Sequence, residues 1–137
     1  MGAPIQWGAL ATSHIYVDVV LRGSRGEALL KNVVVDTRAT YTILDKRTVD
    51  EVGAWRIPFE IHLELGDGRI VKASVYAVII TLEGRTAPTL TACFEGAKSV
   101  IGVRTLEDLG LRVNPVSGKL EPVRPSNLAY FYTGETD

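Results

Sequence analysis

Alternation of apolar and polar positions runs through most of this chain and predicts strands rather than long helices. His14–Arg22 (HIYVDVVLR) is rich in β-branched and aromatic residues and alternates in part, as a half-buried strand does. Gly23-Ser24-Arg25-Gly26 predicts a turn, since two glycines bracket a polar pair. Glu27–Val35 then returns as a second strand of a hairpin. Thr42–Leu44 predicts a short apolar strand. Asp45 is placed to cap a short helix that runs through Val52 and stops at Gly53. Glu60–Leu65 alternates clearly, with Ile61, Leu63 and Leu65 on one face, and Gly66-Asp67-Gly68 is a strong hairpin turn. Arg69–Leu82 is the returning strand, long enough to bend or change sheets. Thr86–Cys93 predicts another strand, Ser99–Ile101 a short apolar one, and Thr105–Leu109 one or two helical turns stopped by Gly110. Leu111–Val113 and Lys119–Pro122 pair across Asn114-Pro115-Val116-Ser117-Gly118, whose Asn-Pro and Ser-Gly steps favour a turn. Asn127–Tyr132 (NLAYFY) adds a possible final strand. Many short strands with one or two short helices predict an all-β fold, a closed or partly closed barrel.

Composition narrows the class. The chain has 137 residues, 46% hydrophobic and 23% charged, with a formal net charge of -1. That is enough apolar content for one domain with its own core, and too much for disorder. The balanced charge gives no electrostatic footprint for nucleic acid. No apolar stretch approaches the roughly 18–20 residues that span a bilayer. Met1–Leu10 lacks a basic region followed by an apolar one, so no signal peptide is expected there. Cys93 stands alone, which leaves no intrachain disulfide and favours a reducing cytoplasm. His14 and His62 have no partner at metal-ligand spacing, so both read as surface histidines and no metal is expected. Cys93 ends an apolar strand and reads as a buried, inert thiol. Trp7 and Trp55 read as covers for core edges. Tyr130-Phe131-Tyr132 is apolar for a tail and is expected to pack on the barrel or pair with a second chain.

The candidate chemistry lies in Asp36-Thr37-Arg38-Ala39-Thr40, directly after the apolar run Val33-Val34-Val35. A buried strand that ends by pushing one carboxylate into a loop holds the acid rigidly and still exposes it. The segment resembles the Asp-Thr-Gly-Ala signature of the aspartic peptidases, with Arg38 where that family has glycine. A second element of the resemblance is Val100-Ile101-Gly102 followed by Val103–Leu111, two apolar residues, a glycine and a short helix ending in Leu-Gly-Leu. Val113–Pro122 resembles the carboxyl end of prokaryotic retropepsin-like peptidases. Between them, the Gly66-Asp67-Gly68 hairpin lies where that family carries its substrate-covering flap. The resemblance runs from about His14 to Pro122. It implies a retropepsin-like domain over residues 14–122, an N-terminal segment 1–13 and a tail 123–137 that docks or adds a dimer strand. It also implies a psi-shaped supporting element at Ile101 and Gly102, and neither metal nor organic cofactor.

Peptide hydrolysis by this route needs two carboxylates sharing a proton and holding a water between them. Like charges about 3 Å apart cannot both ionise, so one stays protonated while the other acts as base. This chain carries one Asp-Thr pair. Asp18, Asp45, Asp50, Asp67 and Asp108 do not sit between an apolar strand and a Thr or Ser. A catalytic Asp36 therefore requires Asp36 of a second chain across a two-fold axis. The resemblance implies the same homodimer, with Thr37 locking the two loops together and an extended peptide or protein as substrate. Arg38 admits three readings. It can lie on the Asp36 pair and erase the shared proton, leaving a catalytically inactive dimer that binds peptides or proteins. It can point to the rim and select acidic side chains. Or it can change little.

Overall fold

In the computed structural model, which describes residues 15–129, the alternation of the first hairpin becomes one buried and one exposed face. Strand β1 (Ile15–Arg22) turns Val17, Val19 and Leu21 into the core, and β2 (Glu27–Val35) returns antiparallel with Val33 and Val35 buried. The register slips between Val17 and Val19. Across from the slip Asn32 takes a left-handed φ of 57°, and its N–H donates to Asp18 Oδ1 at 2.9 Å. Asparagine enters that region at lower cost than most residues, and bulges depend on such positions.

The remaining elements follow in the order β3 (Thr42–Ile43), α1 (Lys46–Val52), β4 (Trp55–Glu64), β5 (Ile70–Leu82), β6 (Arg85–Cys93), β7 (Val100–Ile101), α2 (Val103–Leu109), β8 (Leu111–Val113) and β9 (Leu120–Pro122). The fold is mostly β with two short helices. One seven-stranded sheet runs β1-β2-β7-β3-β6-β5-β4, and β8 and β9 form a separate pair. Strand β1 also pairs with β5 through Val20–Thr81, Leu21–Ile80 and Arg22–Ile79.

Strand β5 changes its buried parity along its length. Ala73 and Val75 are buried in the first half, Val78, Ile80 and Leu82 in the second. Its first half ladders with β4 and its second half with β1, while β6 accompanies it from Ser74 to Leu82. The long strand thus bends between two neighbours, as its length predicts. The core gathers Val19, Leu21, Leu44, Val52, Ile80, Ile101 and Leu106, each nearly or fully buried. Burying one such side chain contributes about 1.5–3 kcal/mol, so this cluster dominates the stability of the strands that carry the acid loop.

Both helices end as the sequence predicts. Gly53 and Gly110 take left-handed φ of 67° and 72° at their C-termini. Asp45 precedes α1, and its Oδ1 accepts from the hydroxyls of Thr48 at 2.5 Å and Ser99 at 3.1 Å rather than from a backbone N–H. Guanidinium groups cover the end of α2: Arg85 donates to the Leu109 carbonyl at 3.1 Å and Arg124 to the Asp108 carbonyl at 3.0 Å.

Three expectations need correction. Strand β4 begins at Trp55, not Glu60, because Pro58 and Phe59 bulge out between Ile57 and Glu60 and the ladder resumes beyond them. Arg56 holds that bulge: its guanidinium donates to the carbonyls of Ile57, Phe59 and Val75 and lies 5.5 Å from the Tyr76 ring centre. Trp55 itself remains 43% exposed, so it covers the core edge only in part. The predicted strand Asn127–Tyr132 does not form over Asn127–Ala129, where Asn127 has φ 62° and Arg124 Nε captures the Leu128 carbonyl at 2.7 Å. Tyr130-Phe131-Tyr132 lies outside the described residues, as do Trp7 and His14.

Candidate functional site

Asp36 follows the last residue of β2, and the backbone turns at once. The Ala39 N–H returns to the Asp36 carbonyl at 3.0 Å. The Arg38 N–H donates to Asp36 Oδ1 at 2.9 Å. An aspartate that accepts from the N–H two residues on is a common way to fix a turn. Any residue but proline supplies that N–H, so arginine at 38 preserves it. Arg38 is absent from the positive-φ residues, so this backbone does not demand glycine there.

The Arg38 side chain folds back onto the acid. Its Nε lies 3.2 Å from Asp36 Oδ1, with side-chain exposures of 82% for Arg38 and 30% for Asp36. Of the three readings, this contact matches a guanidinium lying on the carboxylate. A pair so exposed is worth only about 0–1 kcal/mol in water. The same contact would count for more in a cleft from which water is excluded. Thr37 is exposed, and its hydroxyl has no partner among the described residues. Ala39 is half-buried and Thr40 exposed.

The loop is supported from below by β7, which inserts between the strands on either side of it. Val34 and Val35 of β2 pair parallel with Val100 and Ile101, and Ile43 of β3 pairs antiparallel with Val100. The Asp36 N–H donates to the Ile101 carbonyl at 2.9 Å. The Val103 and Arg104 N–H groups donate to the Ala39 and Thr40 carbonyls at 2.8 and 3.0 Å. Here Gly102 is needed for space: an added Cβ would lie 2.4 Å from both the carbonyl carbon and oxygen of Tyr41. Its φ of -99° is ordinary extended backbone, so close approach alone explains the glycine. Ile101 is buried beneath the same crossing.

A buried chain of hydroxyls extends this support, and sequence reading missed it. The Gly102 N–H donates to Thr42 Oγ1 at 3.0 Å, and Thr42 donates to Thr105 Oγ1 at 2.6 Å. Thr105 and Thr89 lie 2.8 Å apart, and Thr89 donates to Asp108 Oδ2 at 2.9 Å. Each hydroxyl accepts once and donates once, and the chain ends on a carboxylate. No local signal marks it, because residues 42, 89, 105 and 108 come together only in the fold. Thr42→Val keeps the shape and removes the link, leaving the Gly102 N–H buried without a partner. Chemical denaturation should register a loss of about 1–3 kcal/mol, whereas Thr40→Val on the exposed loop should cost about 0.5 kcal/mol or less.

The Gly66-Asp67-Gly68 turn joins β4 to β5 as predicted. It closes through the Leu65 N–H to the Arg69 carbonyl at 2.7 Å and the Gly68 N–H to the Leu65 carbonyl at 2.9 Å. Hydrogen bonds from the Arg69 backbone N–H and then its side chain hold the Asp67 carboxyl below its usual range. Space around the Gly66 and Gly68 α-carbons is open, and all of Gly66–Ile70 is exposed. With so few contacts the tip should open locally at low cost. Its amides at Gly66–Gly68 should exchange with deuterium about a hundredfold faster than those of Val33–Val35. Equal protection would count against a moving tip.

Other candidates carry less. Cys93 is buried, and burial pushes its thiol up, which disfavours the reactive thiolate. His62 lies on the exposed face of β4. Among the described residues, no group of three or more His, Cys, Asp or Glu side chains could hold a metal ion. None of the described helices is long and apolar enough to cross a membrane. One cleft is lined by Tyr76, Cys93 and Phe94 and another by Pro88, Leu90 and Arg104, and Asp36 lines neither. Neither a family model nor a curated protein matches the chain.

Proposed function

We propose that this chain is a retropepsin-like aspartic peptidase domain, spanning residues 14–122, that works as a two-fold homodimer on extended peptides. One observation carries the reading: the Asp36 loop is tied to β7 by the Asp36 amide and to the start of α2 by the Val103 and Arg104 amides, around a Gly102 that admits no side chain. Such a crossing fixes one carboxylate at a surface while its strand stays buried. The β1–β5 pairing, which returns the sheet toward its first strand, supports the closed barrel of that family. In the dimer, the two Asp36 side chains hold a water between them. One acts as base and the other donates a proton to the scissile carbonyl, which needs neither metal nor cofactor. In this reading Thr37, exposed and without a side-chain hydrogen bond among the described residues, binds its counterpart across the axis. The Gly66–Gly68 tips close over the bound peptide. Cys93, without a disulfide partner, suits a reducing cytoplasm.

The Arg38–Asp36 contact favours a second reading, a dimer that binds extended peptides and does not cut them. Both readings require the dimer. Sedimentation at micromolar concentration should give twice the chain mass, and a structure of that species should bring the Asp36 side chains within hydrogen-bond reach. A monomer, or a dimer holding the two loops far apart, overturns both.

A further inference from the structure

We propose that Arg38 makes the Asp36 cleft select peptides presenting a carboxylate beside the bond that the acid pair addresses; this rests on the peptide-cleft reading above. The guanidinium uses only Nε on Asp36, at 3.2 Å, and the Arg38 backbone N–H occupies the same oxygen. Its two terminal amino groups have no hydrogen-bond or ion-pair partner among the described residues. A guanidinium has two donor edges, and the Nη1–Nη2 edge is therefore free while Nε stays on the acid. That edge matches the two oxygens of a carboxylate in one plane. A ligand carboxylate can dock there without displacing Asp36.

The ion pairs leave the same edge open. The exposed Arg38 cation faces one carboxylate, Asp36, and the other ion pairs among the described residues use different residues. A dimer brings two such guanidinium edges to one cleft, each able to take a ligand carboxylate. Two sources supply it: an acidic side chain of the peptide, or the α-carboxylate of a chain end.

Matched short peptides with a hydroxyethylene group in place of the scissile amide separate the outcomes, since they bind without being cut. One carries Glu beside the isostere and the other Gln. Versions ending just past the isostere, as free acid or amide, test the α-carboxylate. Fluorescence anisotropy should find the Glu or free-acid peptide bound about tenfold more tightly than its neutral counterpart, a difference of about 1.4 kcal/mol. The ratio should fall to about one in Arg38→Gln and shrink as salt rises. The more affected pair identifies the source. Equal binding of charged and neutral peptides, or a ratio that survives Arg38→Gln, overturns the selectivity and leaves the peptide cleft standing. Failure of every peptide to bind overturns the cleft as well.

Discussion

Arg38→Gly is expected to raise peptidase activity on a mixed peptide library at acidic pH by more than about tenfold, roughly 1.4 kcal/mol in the barrier. The reasoning starts from one oxygen. Asp36 Oδ1 already accepts the Arg38 backbone N–H, and Nε lies on it as well. The acid pair works by sharing a proton between two carboxylates. The guanidinium occupies an acceptor position on the same oxygen that the partner acid or the water would use, and a dimer brings two of them. Glycine retains the backbone N–H and removes only the competitor. Asp36→Asn should abolish activity in either background while the melting temperature stays near that of the parent. A change in which peptides are cut, without a change in rate, would match the rim reading of Arg38. Equal rates and equal cleavage sites would make Arg38 a passenger.

Gly102→Ala is expected to have the largest effect on stability. The new Cβ meets the Tyr41 carbonyl carbon and oxygen at 2.4 Å and the Thr42 nitrogen at 2.8 Å. All three are backbone atoms, so no side chain can rotate away. The Asp36 loop must lift off β7 and lose hydrogen bonds through Asp36, Val103 and Arg104. Overpacking commonly costs about 1–3 kcal/mol; with the lost hydrogen bonds, about 3 kcal/mol or more is expected here, lowering Tm by roughly 10 °C. Gly66→Ala is the control, because its Cβ would enter open space and should leave Tm almost unchanged. Similar Tm values for the two variants would mean the crossing is looser than its distances imply.

Much of the fold was legible because local signals agreed. Glycines at 53 and 110 stop helices, Gly66-Asp67-Gly68 turns a hairpin, and Val17, Val19 and Leu21 alternate inward. Two misses lie where the reach of one arginine decides, not the apolar–polar pattern. That pattern does not say that Arg56 holds Pro58 and Phe59 in a bulge, or that Arg124 draws Leu128 out of an extended path. At the site, Asp36 and Gly102 were legible through their motif and through neighbouring apolar runs. The hydroxyl chain from Thr42 to Asp108 was not, because it joins residues far apart in sequence. The direction of the Arg38 side chain was equally hidden, since an exposed arginine on a turn has no local constraint that points it toward the acid.

Stoichiometry tests the central claim most directly. A site built on a two-fold axis from Asp36 of two chains holds one peptide for every two chains. Calorimetric titration of the Arg38→Gly protein with a hydroxyethylene peptide should saturate at one ligand per dimer, and Asp36→Asn should weaken that binding sharply. Saturation at one ligand per chain, or binding indifferent to Asp36→Asn, would contradict a shared acid pair.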